Sequence, residues 1–174
     1  MFRVNIYNVH PDIFILNIMS KYKVQRYNKT ENNVLQILYS KFKNLSIHTE
    51  YNTPDIVQRK VNNKKPKEVL LFLDAETTNH TPKGNNRKIE FLLISESGKY
   101  YWIDAKHANR TTNITDLEGE YNRAKRIKGT VLYVVAGKGY TKELIKEHKK
   151  FLKEYKIKNV EVFKLKKLKN FNFK

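Results

Sequence analysis

Apolar positions recur along the chain with two different periods, and each period predicts one kind of element. Residues 30–42 carry apolar side chains at helical intervals behind Thr30, a potential N-cap, and predict an amphipathic helix. Two further helical patterns cover residues 116–127 and 141–155. Short apolar or β-branched runs typical of strands cover residues 69–76, 89–95, 100–106, 130–136 and 160–165.

The order of these elements predicts the fold class. It runs helix, three strands, helix, strand, helix, strand (α-β-β-β-α-β-α-β), which is typical of an α/β domain with a mixed central β-sheet flanked by helices. Residues 44–67 are polar and interrupted by Pro54 and Pro66, so we expect them to be mostly irregular. We expect a single domain over residues 1–174, with an N-terminal appendage of unassigned structure at 1–28 and a basic, partly frayed tail at 166–174.

The amino-acid composition predicts a class of partner and a cellular compartment for this protein. The chain has 35 Lys and Arg against 17 Asp and Glu, a formal net charge of +18, which favours nucleic acid as the partner. The alternative is a basic soluble protein whose Lys, Asn, Ile and Tyr content follows AT-rich codon usage. The absence of cysteine excludes disulfides and cysteine-ligated metal sites. No signal peptide or membrane-spanning run is recognisable, so we expect a cytoplasmic protein without a membrane partner.

Two charged residues stand in the apolar run at 100–106. Asp104 and Lys106 are two residues apart, and successive strand side chains alternate faces, so both should project from one face. Buried Asp and Lys are rare unless they are paired or metal-bound. The pair therefore indicates a site, although a salt bridge at a strand end would have the same pattern.

The turn between the second and third strands decides whether Glu90 belongs to this site. If residues 96–98 form a three-residue loop, Ser95 faces Lys99 and Glu90 falls opposite Asp104; a two-residue turn would instead set Glu90 opposite Ala105. We expect the three-residue loop, with Gly98 in the left-handed region. Two carboxylates so close repel each other unless a divalent cation joins them, and magnesium suits such oxygen ligands.

Glu90, thirteen intervening residues and then Asp104-Ala105-Lys106 resemble the acid…(D/E)-x-K signature of the PD-(D/E)XK nucleases. Residues 31–165 are most similar in pattern to the cleavage domains of type IIS restriction endonucleases of the FokI kind. The resemblance implies a restriction-endonuclease-like core and an endonuclease that hydrolyses DNA phosphodiester bonds. It implies that Glu90, Asp104 and the Ala105 carbonyl hold Mg²⁺, for which Mn²⁺ would substitute, and that Lys106 positions or deprotonates the attacking water.

The chain departs from the family pattern in one place and offers competing acids elsewhere. Ile89-Glu90 stands where the family usually has Pro-Asp, whereas literal Pro-Asp dipeptides occur at 11–12 and 54–55. Glu31 and Asp74 are further candidate metal ligands. Helix-dipole stabilisation explains Glu31 equally well, and solvation of a strand end is an alternative for Asp74.

Candidate phosphate-binding residues lie beyond the hairpin. Lys138 and Lys142 lie near a glycine-flanked loop (GKG) and are candidates for contact with the nucleic-acid backbone. Tyr121 could contact phosphate, although a tyrosine on a helix is usually part of the core.

Three functional hypotheses follow. The first is a DNA endonuclease acting as a homodimer or with a partner chain that supplies sequence recognition. The second is a structure-specific junction resolvase or repair nuclease. The third is a basic nucleic-acid-binding protein without catalysis.

Overall fold

A computed structural model describes residues 29–48, 68–77, 87–108, 117, 118, 121, 124 and 129–174. At residues 74–77, 87–90 and 107–108 it describes the strand path but not the side chains. No helix in this part of the chain is long and apolar enough to cross a bilayer.

The described elements follow the predicted order, with a short strand added after the first helix and a 3₁₀ helix added after the last strand. Helix α1 spans Lys29–Lys41 and helix α2 spans Lys142–Glu154. The strands are β1 Leu45–His48, β2 Val69–Thr77, β3 Arg87–Ile94, β4 Tyr100–Ala108, β5 Thr130–Gly137 and β6 Val160–Lys164. A 3₁₀ helix at Leu165–Asn170 follows β6. In the predicted helix at 116–127, Glu118, Tyr121 and Ala124 are helical.

The strands form one mixed six-stranded sheet in the order β1-β2-β3-β4-β5-β6. β2, β3 and β4 are an antiparallel meander, whereas β1 pairs with β2, β5 with β4 and β6 with β5 in parallel. This confirms the α/β class and the mixed sheet. The prediction of irregular structure is wrong for β1, because a four-residue edge strand with two apolar positions is too short to leave a periodic signal.

Strand alternation divides the core into two halves. The α1 face of the sheet carries Leu71, Leu93 and Ile103 and packs against α1 and the 3₁₀ helix. The α2 face carries Phe72, Leu92, Trp102 and Tyr133 and packs against α2 and against Leu117, Tyr121 and Ala124, whose spacing is that of one helical face. Both faces of the central strands are covered, which explains why their sequences are almost continuously apolar.

The basic tail belongs to the core rather than fraying from it. Leu168 and Phe173 are buried against the α1 face, and the Phe173 ring lies edge-on to that of Phe42, with 5.5 Å between centroids. The Tyr101 hydroxyl donates a hydrogen bond to the carbonyl of Lys174 (2.8 Å). The expectation of fraying is therefore wrong, because phenylalanines interleaved with the lysines hold this segment to the sheet.

Candidate active site

The hairpin loop between β3 and β4 has the predicted three-residue form. The Ser95 amide donates to the Lys99 carbonyl (2.9 Å), and the Gly98 amide donates to the Ser95 carbonyl (2.8 Å). Gly98 has φ 80°, in the left-handed region that glycine adopts without steric cost. The buried Ser95 hydroxyl also accepts from the Lys99 amide (3.2 Å) and hydrogen bonds to the Ser97 hydroxyl (2.8 Å). The loop length and the conformation of Gly98 are confirmed.

This loop sets the register of the two strands. The pairs run from Ile94↔Tyr100 to Phe91↔Ile103, which excludes the alternative register with Glu90 opposite Ala105. Glu90 and Asp104 are the next residues along the two strands. Alternation puts Glu90 on the face of Leu92 and Asp104 on the face of Trp102, both of which belong to the α2 face. The two acidic positions therefore share one face of the sheet.

Asp74 joins them from the neighbouring strand. The pairs Leu73↔Phe91 and Ala75↔Ile89 flank Asp74 and Glu90, so these two positions lie opposite each other on β2 and β3. Asp74 alternates with Phe72 and lies on the α2 face. Three acidic positions, Asp74, Glu90 and Asp104, thus form a row across three adjacent strands.

Asp104 and Lys106 form a close pair at the centre of this region. The Lys106 Nζ lies 3.6 Å from Oδ1 of Asp104; the lysine side chain is 51% exposed and the aspartate side chain 9%. The carboxylate is therefore largely withdrawn from solvent, while the ammonium group reaches the surface beside it. This is the expected projection of both residues from one strand face.

Several described neighbours of the pair on β4 and β5 are apolar or uncharged. In the β4–β5 register Asp104 pairs with Tyr133, whose side chain is buried, and Lys106 pairs with Val135. Trp102 is buried one step earlier on β4. Electrostatic interactions of the Asp104 carboxylate are strengthened where low-dielectric groups replace water.

Tyr121 is part of the core rather than of the reacting surface. Its hydroxyl lies 2.7 Å from His148 Nδ1, and its ring stacks on Phe151 with centroids 4.3 Å apart. Burial raises the pKa of Tyr121, and the negative charge of Glu147 adds to this; burial and then the charge of Lys149 lower the pKa of His148. Both side chains are therefore uncharged near neutral pH.

The other predicted site residues fall in different places. Glu31 lies on α1, whose buried residues pack against the face opposite Asp104. The Ala105 side chain is buried on that same α1 face, between Asp104 and Lys106. Lys138 is exposed just after β5, and Lys142 is exposed at the start of α2. The Pro-Asp dipeptides at 11–12 and 54–55 lie outside the described residues.

Sequence reasoning did not single out Lys164, which the sheet brings to this region. Lys164 ends β6 opposite Val135, and Val135 lies opposite Lys106. Val160 and Val162 pack on the α2 face, so alternation puts Lys164 there too. The parallel register of β4, β5 and β6 is set by distant connections, and no turn in the sequence specifies it.

Among the side chains that the structure describes, no group of three or more His, Cys, Asp or Glu is arranged to hold a metal. The side chains of Asp74 and Glu90 are not in that set. Comparison of the chain with family models, with curated proteins and with solved structures found no match. The function is therefore inferred from the residues themselves.

Proposed function

We propose that this chain is a magnesium-dependent endonuclease that hydrolyses DNA phosphodiester bonds and has a restriction-endonuclease-like core. The observation that supports the proposal is the register of the β3–β4 hairpin, whose pairs run to Phe91↔Ile103, so that Glu90 and Asp104 are the next positions along the two strands. An acid, an aspartate and a lysine on one face of a hairpin are the arrangement implied by the PD-(D/E)XK resemblance. The meander β2-β3-β4 followed by parallel β5 has the strand order expected of that core.

The donor set suits a hard divalent cation. Glu90 and Asp104 contribute carboxylates from adjacent strands, Asp74 offers a third from β2, and the carbonyl of Ala105 is the fourth candidate ligand. Magnesium prefers oxygen ligands and keeps several waters, and manganese accepts the same ligands. The burial of Asp104 beside the ammonium group of Lys106 fits a carboxylate that a cation stabilises.

Each residue then has a defined task. Glu90 and Asp104 bind the cation, which when bound polarises the scissile phosphate and lowers the pKa of coordinated water. Lys106 orients the attacking water by hydrogen bonding and offsets the negative charge that develops on the phosphate. The exposed position of its side chain is compatible with contact to both water and substrate.

The positive charge of the chain supplies the affinity for DNA. The chain has a formal charge of +18, so it would bind backbone phosphates through counterion release, independently of DNA sequence. Cutting both strands requires two active sites, so the proposal includes a homodimer or a partner chain that also supplies sequence recognition. A junction resolvase or repair nuclease would use the same site on a different DNA structure.

Nicking of supercoiled plasmid DNA with and without Mg²⁺ tests the proposal. We expect Mg²⁺- or Mn²⁺-dependent nicking that falls by at least about 100-fold in Asp104→Asn and Lys106→Met, because each change removes a group that acts on the reacting phosphate. Glu96→Gln and Lys99→Met are matched controls, since both residues are exposed on the same hairpin and lie outside the site. The controls should cut at the wild-type rate.

Two results would contradict the proposal. One is the absence of cleavage of DNA or RNA with either metal; retained DNA binding would then favour a non-catalytic nucleic-acid-binding protein. The other is cleavage by Asp104→Asn and Lys106→Met at the rate of their controls. Thermal melting of all four variants separates loss of catalysis from loss of fold.

A further inference from the structure

A row of residues crosses the sheet beside the candidate active site. The β4–β5 and β5–β6 registers align Lys106, Val135 and Lys164 on three adjacent strands, all on the α2 face. Neighbouring strands lie about 4.8 Å apart, so Lys164 begins about 10 Å from Lys106 across the sheet. This separation exceeds the axial rise of about 3.4 Å between successive phosphates of one DNA strand, so the two lysines can contact different phosphates.

An aromatic ring holds the ammonium group of Lys164. Its Nζ lies 5.2 Å from the centroid of the Tyr140 ring, within the range of a cation–π interaction. Tyr140 is itself packed against both halves of the core and is therefore fixed in position. The ring orients the lysine but brings no negative charge to it, so the positive charge stays available to an anion.

Two further lysines stand near the same end of the sheet. Lys138 follows the end of β5, Lys142 begins α2, and both are exposed on either side of Tyr140. Within the described part of the chain, none of Lys138, Lys142 and Lys164 forms an ion pair with an acidic residue. Positive charge thus extends from Lys106 past the end of β5 to β6, along one edge of the candidate site.

We propose that Lys164, oriented by Tyr140, binds a backbone phosphate of the DNA that flanks the phosphate cleaved at Asp104 and Lys106. The cleaved position rests on the proposed function, whereas the phosphate contact of Lys164 does not. The contact positions the substrate strand along the row from β4 to β6. Lys164 is a substrate-positioning residue, and it acts through charge rather than through base recognition.

Fluorescence anisotropy of a labelled duplex, measured without divalent metal at several salt concentrations, tests this contact. Lys164→Gln should weaken binding several-fold at low salt and reduce the slope of log affinity against log salt by about 0.9, because one phosphate contact is lost. Lys166→Gln is the matched control: it makes the same charge change two residues away, on the exposed side of the 3₁₀ helix. It should bind within a factor of two of wild type.

The ring is tested separately. Tyr140→Leu removes the cation–π partner and should weaken binding by part of the Lys164→Gln effect, whereas Tyr140→Phe keeps the ring and should bind like wild type. Equal binding by Lys164→Gln and Lys166→Gln, with native melting temperatures, would overturn the contact. Wild-type protein that binds through Lys164 but never cuts would overturn the catalytic proposal alone. Wild-type protein that cuts while both variants bind alike would overturn only the contact.

Discussion

Two polar pairs on the α2 face behave differently because their exposure differs. Asp104 is buried beside Lys106, whose side chain is half exposed, so the buried carboxylate is paired with an ammonium group that reaches solvent. Tyr121 and His148 are both buried and hydrogen-bonded to each other, and their shifted pKa values keep them neutral. The first pair is the proposed catalytic pair, and the second joins α2 to the helical segment around Tyr121.

Burial of His148 beside Tyr121 predicts that the stability of the fold depends on the protonation of His148. Its folded-state pKa lies below the ordinary value of 6.5, so stability is fully present above pH 6.5 and falls as pH drops from there through the folded-state pKa. For one proton, the slope of the unfolding free energy against pH is at most about 1.4 kcal/mol per pH unit. Urea unfolding between pH 7.5 and 5 measures it.

His148→Gln is the control for that measurement. It keeps a polar partner for the Tyr121 hydroxyl but does not titrate, so its unfolding free energy should change less over the same pH range. The charges that face His148 include Lys149 on its own helix, and the Tyr121 hydroxyl reaches it from the helical segment. Identical pH profiles for the wild type and the variant would show that His148 does not contribute.

Single residues were partly predictable from the sequence. The common face of Asp104 and Lys106 follows from alternation alone, and the structure gives their pairing at 3.6 Å. Lys164 was not predictable, because its place in the row depends on parallel pairing between strands joined by long connections. The sequence predicted that Asp74 lies on a strand, but its position opposite Glu90 could be deduced only from the β2–β3 register.

The β3–β4 hairpin is the element on which the site depends. Its loop was predictable because a short glycine-containing turn between two apolar runs allows few registers. The edge strand β1 was not predictable from four half-buried residues. The side of the sheet that α1 covers was also unspecified, since an amphipathic helix fits either apolar face.

Substitutions at two glycines test this element and its packing against β5. Gly129 has φ 117°, and a Cβ there would lie 2.5 Å from the Tyr100 carbonyl oxygen, where the approach to β5 meets the start of β4. Gly98 also has a positive φ, of 80°. We expect Gly129→Ala to destabilise most, Gly98→Ala by about 1–2 kcal/mol, and Gly98→Asn least, because asparagine tolerates the left-handed region.

Chemical denaturation of the three variants gives their order. Gly98→Asn should also keep the plasmid-nicking rate of the wild type, since the hairpin register is unchanged. A Gly98→Asn protein that is folded yet inactive would mean that the loop acts on catalysis by a route other than register. Equal unfolding free energies for Gly98→Ala and Gly98→Asn would contradict the turn assignment.

The whole molecule combines a two-sided core with a large positive charge. The α/β class and the order of elements were predictable because long apolar runs and helical patterns succeed each other clearly. The packing of the C-terminal segment was not, because its lysines masked the role of Leu168 and Phe173 in the core. The proposed nucleic-acid partner rests on the charge of the whole chain, and among the described residues Lys106 and Lys164 lie on the α2 face with the acidic positions.

Anomalous diffraction from crystals soaked in millimolar Mn²⁺ tests the central claim most directly. The account predicts a manganese peak on the α2 face, within coordination distance of carboxylate oxygens of both Glu90 and Asp104, and its loss in Asp104→Asn crystals. The Glu96→Gln variant should keep the peak. An α2 face without manganese in the wild type, or Glu90 and Asp104 on opposite faces of the sheet, would contradict the account.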